Sequence, residues 1–278
     1  MLTRFITRPN IRAIMKELFP NPGGLPKLSI MAPPLTRNFA LVGGAFDYFL
    51  RFFVSSRWPK CEVRSLTAEK APTILKLLRQ PKKAIRQYEL KIKQSISILN
   101  DVSEVVGISN AALTACLELA QFEPVVRRAY IPPNLGLIQE EDIADLRCLI
   151  EIIDWRNFTP TKQALLNPTF GFGSQMVGGA DADLIIDGKL IELKTVKDLK
   201  LRRIDLNQVI GYFCLAAIDK NEHEGPDMAI QNICIYYSRY AHFFELDVQE
   251  FITPIKLEQL IECFKLEADV SSRVVKIA

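Results

Sequence analysis

The sequence predicts an α/β fold of the α+β type, in which a mixed central sheet follows a mostly helical region. In the first part of the chain, apolar residues recur every three or four positions, which is typical of amphipathic helices. After about residue 136, short apolar runs typical of strands alternate with helical patterns. We therefore predict a mostly helical region over residues 1–135, a candidate for gripping a substrate, and a compact α/β core over residues 136–278.

The helical region divides into segments separated by breaks. Helices are predicted for NIRAIMKELF, FALVGGAFDYFLRFFVSS, TAEKAPTILKLLRQ, PKKAIRQYELKIKQSISILNDVSEVVG and SNAALTACLELAQFEPVVRRA. Two segments rich in proline and glycine, NPGGLPKLSIMAPPLTR and YIPPNLGLIQEED, predict loops.

The second part reads in the order helix, strand, strand, strand, helix, strand, followed by one more strand and helix. The first helix is EEDIADLRCLIEIIDW, and the three strands after it are QALLNPTF, SQMVGGADADLII and KLIELKTV. The remaining elements are the helix IDLNQVIGYFCLAAID, the strands AIQNICIYYS and HFFELDV, and the helix KLEQLIECFKLEA.

Charge is distributed unevenly along the chain. Residues 1–100 carry 18 Lys and Arg against 5 Asp and Glu, whereas the rest carries 17 against 27. This asymmetry favours a polyanion-binding face in the first part and a use for carboxylates in the second, although a solvated basic surface would look the same.

An Asp-Gly pair, Asp187-Gly188, predicts a tight hairpin with a type I′ turn. A two-residue loop places Leu184 opposite Ile191 and Asp183 opposite Glu192. One face of the hairpin then carries Leu184, Ile186, Ile191 and Leu193, and the other carries Asp181, Asp183, Glu192 and Lys194. Because carboxylates opposite each other in a sheet repel, this pairing favours a divalent cation, and Mg²⁺ is commonly bound by one or two carboxylates.

Asp183 followed by Glu192-Leu193-Lys194 on adjacent strands resembles the PD-(D/E)XK nuclease superfamily. The resemblance extends to Gln208 and Tyr212, which form the Gln-x-x-x-Tyr pattern of its RecB-like branch, and to the order of elements in its αβββαβ core. It covers about residues 140–238 and implies a restriction-endonuclease-like fold.

The resemblance implies a nuclease that uses Mg²⁺, or Mn²⁺ in its place, to hydrolyse phosphodiester bonds, with DNA as the expected substrate. Asp183, Glu192 and the Leu193 carbonyl would bind the metal, and Lys194 would position or activate water. Gln208 and Tyr212 would orient the site or contact the phosphate backbone. The alternative is a noncatalytic protein that keeps the fold and binds nucleic acid or assembles a complex.

Several site assignments stay open at this point. Ala182 stands where the superfamily has proline, and Asp181 could be the metal ligand instead of Asp183, or could form an ion pair with Lys194. A further acidic ligand could be Asp47, which stands in the His position of a Gly-x-x-x-His pattern beginning at Gly43. Asp47 is also spaced to pair with Arg51, and Glu151 is the other candidate acidic ligand.

Basic residues between the Glu-x-Lys strand and the next helix are candidates for contacts with the nucleic-acid backbone. They are Lys197, Lys200, Arg202 and Arg203, although a solvated loop would have the same composition. The aromatic run from Phe46 to Phe53 has the density expected of a core helix.

Six scattered cysteines without metal-ligand spacing indicate reduced thiols and no iron-sulfur cluster. This pattern is typical of a cytoplasmic protein. Asp47 and Arg51 interrupt the longest apolar run, so we expect no membrane span.

Overall fold

The computed structural model describes residues 1–58, 60–63, 66–101, 108–223 and 228–277. Within these residues the fold is mixed α/β, with six strands in one mixed sheet and helices on both of its faces. The mixed α/β class predicted from the sequence is therefore confirmed.

The first part of the chain is mostly helical, as predicted. Its elements are α1 (Leu2–Phe5), α2 (Pro9–Leu18), α3 (Phe39–Arg57), β1 (Glu62–Val63), α4 (Ala71–Leu77), α5 (Lys82–Asn100), α6 (Asn110–Ala120) and α7 (Glu123–Arg128). The predicted fourth helical segment also included residues 102–107, which lie outside the described residues.

The second part contains a counterpart of each predicted strand and helix, in the predicted order, together with two short helices. Its elements are α8 (Glu140–Glu151), β2 (Ala164–Leu166), α9 (Gly171–Met176), β3 (Leu184–Ile186), β4 (Lys189–Lys194), α10 (Arg203–His223), β5 (Asn232–Tyr237), β6 (His242–Asp247), α11 (Val248–Phe251) and α12 (Pro254–Ile277).

The sheet has the strand order β1-β2-β3-β4-β5-β6. Strands β2, β3 and β4 form an antiparallel meander, β5 runs parallel to β4, and β6 returns antiparallel to β5. The two-residue strand β1, which the sequence did not predict, adds a parallel edge beside β2. Helix α10 crosses between β4 and β5, as a parallel connection requires.

The hairpin between β3 and β4 has the predicted register. Leu184 pairs with Ile191, and Asp187 and Gly188 have φ values of 47° and 83°, as a type I′ turn requires. The Asp187 carboxylate also accepts backbone hydrogen bonds from Thr161, Lys162 and Gln163 at 2.7–2.9 Å. The turn is therefore fixed to the segment that leads into β2.

The strand predicted for SQMVGGADADLII is wrong in its first half, because residues up to Met176 belong to helix α9. Asp219 of α10 accepts a hydrogen bond from the Phe172 N–H at 2.7 Å, near the start of α9. Gly178 and Gly179 have φ values of 74° and 109°, which turn the chain back toward β3. Helix α9 and this turn set the position from which Asp181 and Asp183 enter the sheet.

The two faces of the sheet pack against different helices. Leu184, Ile186 and Ile191 join α3, α6 and α8 in one apolar cluster, and Leu193 packs against it. Ile185 and Leu190 face α10, α12 and the first two helices in a second cluster. Each cluster contains residues from both sides of residue 135.

The loop between α2 and α3 is attached to the core through a buried ion pair. Arg239 bonds to Asp145 at 2.8 and 2.9 Å, and neither side chain is exposed to solvent. Arg239 also donates to the Ala32 carbonyl, while its own carbonyl accepts from Met31 and Ala32. This segment leads directly into α3.

Helix α3 is the one described helix that is long and apolar enough, by length and composition alone, to cross a membrane. Half of its apolar window is buried inside the protein, including Phe46, Tyr48, Phe49 and Phe53. The aromatic run therefore packs in the core, as the sequence predicted.

Candidate active site

Asp183 and Glu192 both line a pocket of about 360 Å³ beside α10. Glu192 lies on β4, and Asp183 immediately precedes β3. One oxygen of Asp183 accepts the Leu193 backbone N–H at 2.7 Å, which fixes the carboxylate beside β4. Glu192 Oε2 is buried and has no hydrogen-bond partner among the described residues. The predicted pair therefore lies in a concave site.

Lys194 is held beside Glu192 by the helix that follows. Its ammonium donates to Glu192 Oε1 at 2.7 Å and to Gln208 Oε1 at 2.9 Å. Gln208 Nε2 donates in turn to Glu192 Oε1 and to the Tyr212 hydroxyl, both at 2.9 Å. Gln208 and Tyr212 lie on one face of α10 because they are four residues apart. The five residues predicted for catalysis thus lie together.

Burial and mutual repulsion change the protonation of the carboxylates. Burial and, to a smaller extent, the neighbouring Asp183 together raise the pKa of Glu192 to about 7, while Lys194 acts in the opposite direction. Burial also raises the pKa of Asp183, against the opposing effect of Arg51. For Lys194, burial lowers the pKa, but Glu192 outweighs this effect and the pKa is raised. The site therefore concentrates negative charge that a cation would stabilise.

Asp181 lines the same pocket but is engaged elsewhere. It accepts two hydrogen bonds from the Arg127 guanidinium, at 2.8 and 3.3 Å, rather than pairing with Lys194. Its backbone forms an isolated bridge with Thr169, outside the β3–β4 ladder. The geometry therefore separates Asp181 from the Lys194 network.

Asp47 forms an ion pair with Arg51, as its spacing predicted. The pair also lies near the pocket: burial raises the pKa of Asp47 to about 8, opposed by Arg51 and reinforced by the Asp183 carboxylate. Gly43, one turn before Asp47, allows α3 to lie close to the end of β4, because a Cβ at Gly43 would stand 3.3 Å from the Thr195 side chain. Both Asp47 oxygens accept hydrogen bonds from the Arg51 guanidinium, so this carboxylate is engaged in the ion pair.

The other predicted residues lie outside the pocket lining. Glu151 is exposed at the end of α8. Lys197 and Lys200 are exposed on the loop after β4, and Arg202 pairs with Asp205 at 2.7 Å. Arg203 donates to the carbonyls of Met15 and Phe19, at the end of α2. Because these bonds fix its guanidinium, Arg203 is the least available of the four basic residues.

Two arginines of α7, Arg127 and Arg128, line the pocket and were not predicted. The signal for them in the sequence is weak, since VVRRA reads as the basic end of a helix. The contact of Arg127 with Asp181 joins residues that are more than fifty positions apart in the sequence. Met1, Leu2 and Thr3 complete another wall of the pocket.

The donor atoms present fit a hard divalent cation. Within the described residues, no group of three or more His, Cys, Asp or Glu side chains is placed to hold a metal. Mg²⁺ nevertheless commonly takes one or two carboxylates and completes its shell with water and phosphate oxygens. The unpartnered Glu192 Oε2, in the same pocket as Asp183, is the atom that such an ion would satisfy.

No family model, curated protein or solved structure matches this chain. The functional interpretation therefore depends on the residues of the pocket.

Proposed function

We propose that this protein is a metal-dependent nuclease of the PD-(D/E)XK type that hydrolyses phosphodiester bonds of DNA. The observation that carries the proposal is the buried, unpartnered Glu192 Oε2 in a pocket shared with Asp183, with Lys194 held against the other Glu192 oxygen. A buried carboxylate oxygen without a donor is costly unless a ligand satisfies it.

The fold supports the same proposal. Elements α8, β2, β3, β4, α10 and β5 follow the αβββαβ order that the resemblance implies for a restriction-endonuclease-like core, with α9 inserted after β2. Glu192 and Lys194 lie on β4, and Gln208 and Tyr212 lie on α10, as the resemblance implies, while Asp183 lies just before β3 rather than on it.

Asp183 and Glu192, with the Leu193 carbonyl, would hold Mg²⁺ or Mn²⁺, which neutralises charge on the phosphate and lowers the pKa of water. Lys194 would bring a positive charge to the attacking water or the scissile phosphate. Hydrolysis forms a bond from the water oxygen to phosphorus and breaks the bond to one sugar oxygen, which takes up a proton. Gln208 and Tyr212 would keep Glu192 and Lys194 in position.

We place this activity in the cytoplasm, because all six cysteines are free thiols. Lys197, Lys200 and Arg202 are exposed and would contact the phosphate backbone of the substrate. Arg203 would support the fold rather than contact DNA.

The test is cleavage of linear, nicked, branched and single-stranded DNA, and of matched RNA, with Mg²⁺ or Mn²⁺ and with EDTA. Glu192→Ala and Lys194→Ala should remove activity while DNA binding persists. Glu258→Ala, at an exposed carboxylate of α12 outside the pocket, is the matched control. Equal cleavage by all four proteins would exclude this site, and binding without cleavage by the wild type would favour the noncatalytic alternative.

A further inference from the structure

A second, larger pocket adjoins the candidate active site. It has a volume of about 580 Å³, within the range of about 300–1,000 Å³ that is usual for ligand pockets. Arg127 and Arg128 line both pockets. A ligand extending from one pocket into the other would therefore pass along the end of α7.

The walls of the second pocket are fixed by contacts with the rest of the fold. The Asn38 amide donates to both Asp142 oxygens at 3.0 and 3.1 Å, which anchors the start of α3. Gln121, which also lines the pocket, accepts the Gly136 N–H at 2.7 Å and donates to the Leu137 carbonyl at 2.6 Å, which holds the loop after α7. The pocket is thus largely formed before any ligand binds.

Helix α7, whose Arg127 and Arg128 line both pockets, is held by contacts with two other parts of the chain. Glu123 accepts a hydrogen bond from the Tyr48 hydroxyl of α3 at 2.9 Å and also pairs with Arg127. Arg127 is bound in turn to Asp181. These contacts occupy Arg127, whereas Arg128 is exposed and makes no ion pair or side-chain hydrogen bond within the described residues.

The second pocket combines an apolar surface with available positive charge. Phe39 is 45% exposed at its edge. Arg37, two residues before it, is also exposed and unpaired among the described residues. An aromatic ring with exposed guanidinium groups is the combination that binds single strands, because bases stack on the ring and phosphates bind the cations.

We infer that this second pocket binds the nucleotides of a DNA single strand next to the bond to be cut. This inference rests on the proposed function, which it extends to substrates with a single-stranded segment. A base would stack on Phe39, Arg37 and Arg128 would contact phosphates, and the next phosphate would reach Asp183 and Glu192. A blunt duplex could not place an unpaired base on Phe39.

The inference is tested by measuring the binding of a fluorescein-labelled DNA single strand, and of a blunt duplex of the same sequence, by anisotropy in EDTA. Phe39→Ala should weaken single-strand binding by about tenfold, in line with the loss of one stacked base, and should change duplex binding less than about twofold. Arg128→Gln should reduce the salt dependence of single-strand binding by about one phosphate contact.

The matched controls are Leu77→Ala and Arg12→Gln, at exposed positions of α4 and α2 outside both pockets. Wild-type single-strand affinity in Phe39→Ala and Arg128→Gln, or equal losses for single strand and duplex, would overturn the inference. Because binding is measured without metal, the result is independent of cleavage. If the wild type cleaves DNA but the variants bind single strands as the wild type does, only the proposed subsite is refuted. If single-strand binding depends on Phe39 but the wild type does not cleave DNA, only the proposed nuclease activity is refuted.

Discussion

Gln208 of α10 donates a hydrogen bond to Glu192 of β4 at 2.9 Å, and both residues bind the Lys194 ammonium. One amide therefore fixes the orientation of an acid and a base that stand two residues apart on a strand. Lys194 and Gln208 both donate to Glu192 Oε1, and these two bonds fix the carboxylate and therefore the position of its unpartnered Oε2.

Replacing Gln208 by Ala should lower cleavage by about 10- to 100-fold, the range usual when a residue that orients a metal ligand is lost. The Mn²⁺ concentration needed for half-maximal activity should rise, because Glu192 would no longer be fixed. Tyr212→Phe removes one hydrogen bond of about 1 kcal/mol and should have a smaller effect. Gln249→Ala, at an exposed position after β6, is the control. Normal metal dependence in Gln208→Ala would contradict this positioning role.

The two neighbouring aspartates should differ in importance. Asp183→Asn should reduce cleavage more than a hundredfold, beyond the range of about 10- to 100-fold for residues that act through a ligand. Asp181→Asn should cost less than about tenfold, because Asp181 serves a partly exposed ion pair with Arg127. The cleavage rates of the two variants, measured at saturating Mg²⁺, show which aspartate is more important for activity. A larger loss in Asp181→Asn would make Asp181 the metal ligand.

The sequence was sufficient to predict the hairpin and the grouping of Glu192, Lys194, Gln208 and Tyr212. These relations depend on short spacings, two residues along a strand and four along a helix, which fix the direction of each side chain. The predicted register places Leu184 opposite Ile191, as the structure has it. Local geometry therefore determines much of the site.

The contacts that the sequence did not predict join distant parts of the chain. Asp181 would face Lys194 if the ladder extended to it, but the paired strand begins at Leu184 and Asp181 instead meets Arg127. Strand β1 has only two residues and is recognisable through its pairing with Leu165 and Leu166. Such long-range contacts depend on tertiary packing, which cannot be predicted from the periodicity of the sequence.

The close packing of α9 on α10 gives a prediction about stability. A Cβ at Gly173 would stand 2.5 Å from the Leu215 carbonyl oxygen, so Gly173→Ala must displace α9. We expect a loss of about 1–3 kcal/mol in the free energy of unfolding, typical of overpacking, and lower cleavage because α9 leads to Asp181 and Asp183. Gly24→Ala is the matched control, since no atom lies within 4 Å of its Cβ position. Chemical denaturation of both variants measures the difference, and equal stability would contradict the packing.

The raised pKa values predict how pH and metal act together on stability. Glu192 has an ordinary pKa of 4.5 that burial raises to about 7, and Asp47 has one of 3.8 that burial raises to about 8. Between the ordinary and raised values, the folded protein binds more protons than the unfolded chain. The stabilisation of the folded protein by these two groups is therefore complete below their ordinary pKa values, and it is lost as the pH rises through about 7 to 8.

A metal ion bound by Asp183 and Glu192 would reverse this trend, because it binds their deprotonated carboxylates. The increase in melting temperature on adding Mn²⁺ should therefore be larger at pH 8 than at pH 6, while the protein without metal becomes less stable over the same interval. Glu192→Gln should reduce both effects, since it removes one titrating ligand, and Glu258→Gln, at an exposed position of α12, should behave as wild type. Thermal unfolding at both pH values, with Mn²⁺ or EDTA, measures this. An Mn²⁺ effect that is independent of pH, or unchanged in Glu192→Gln, would show that the ion binds elsewhere.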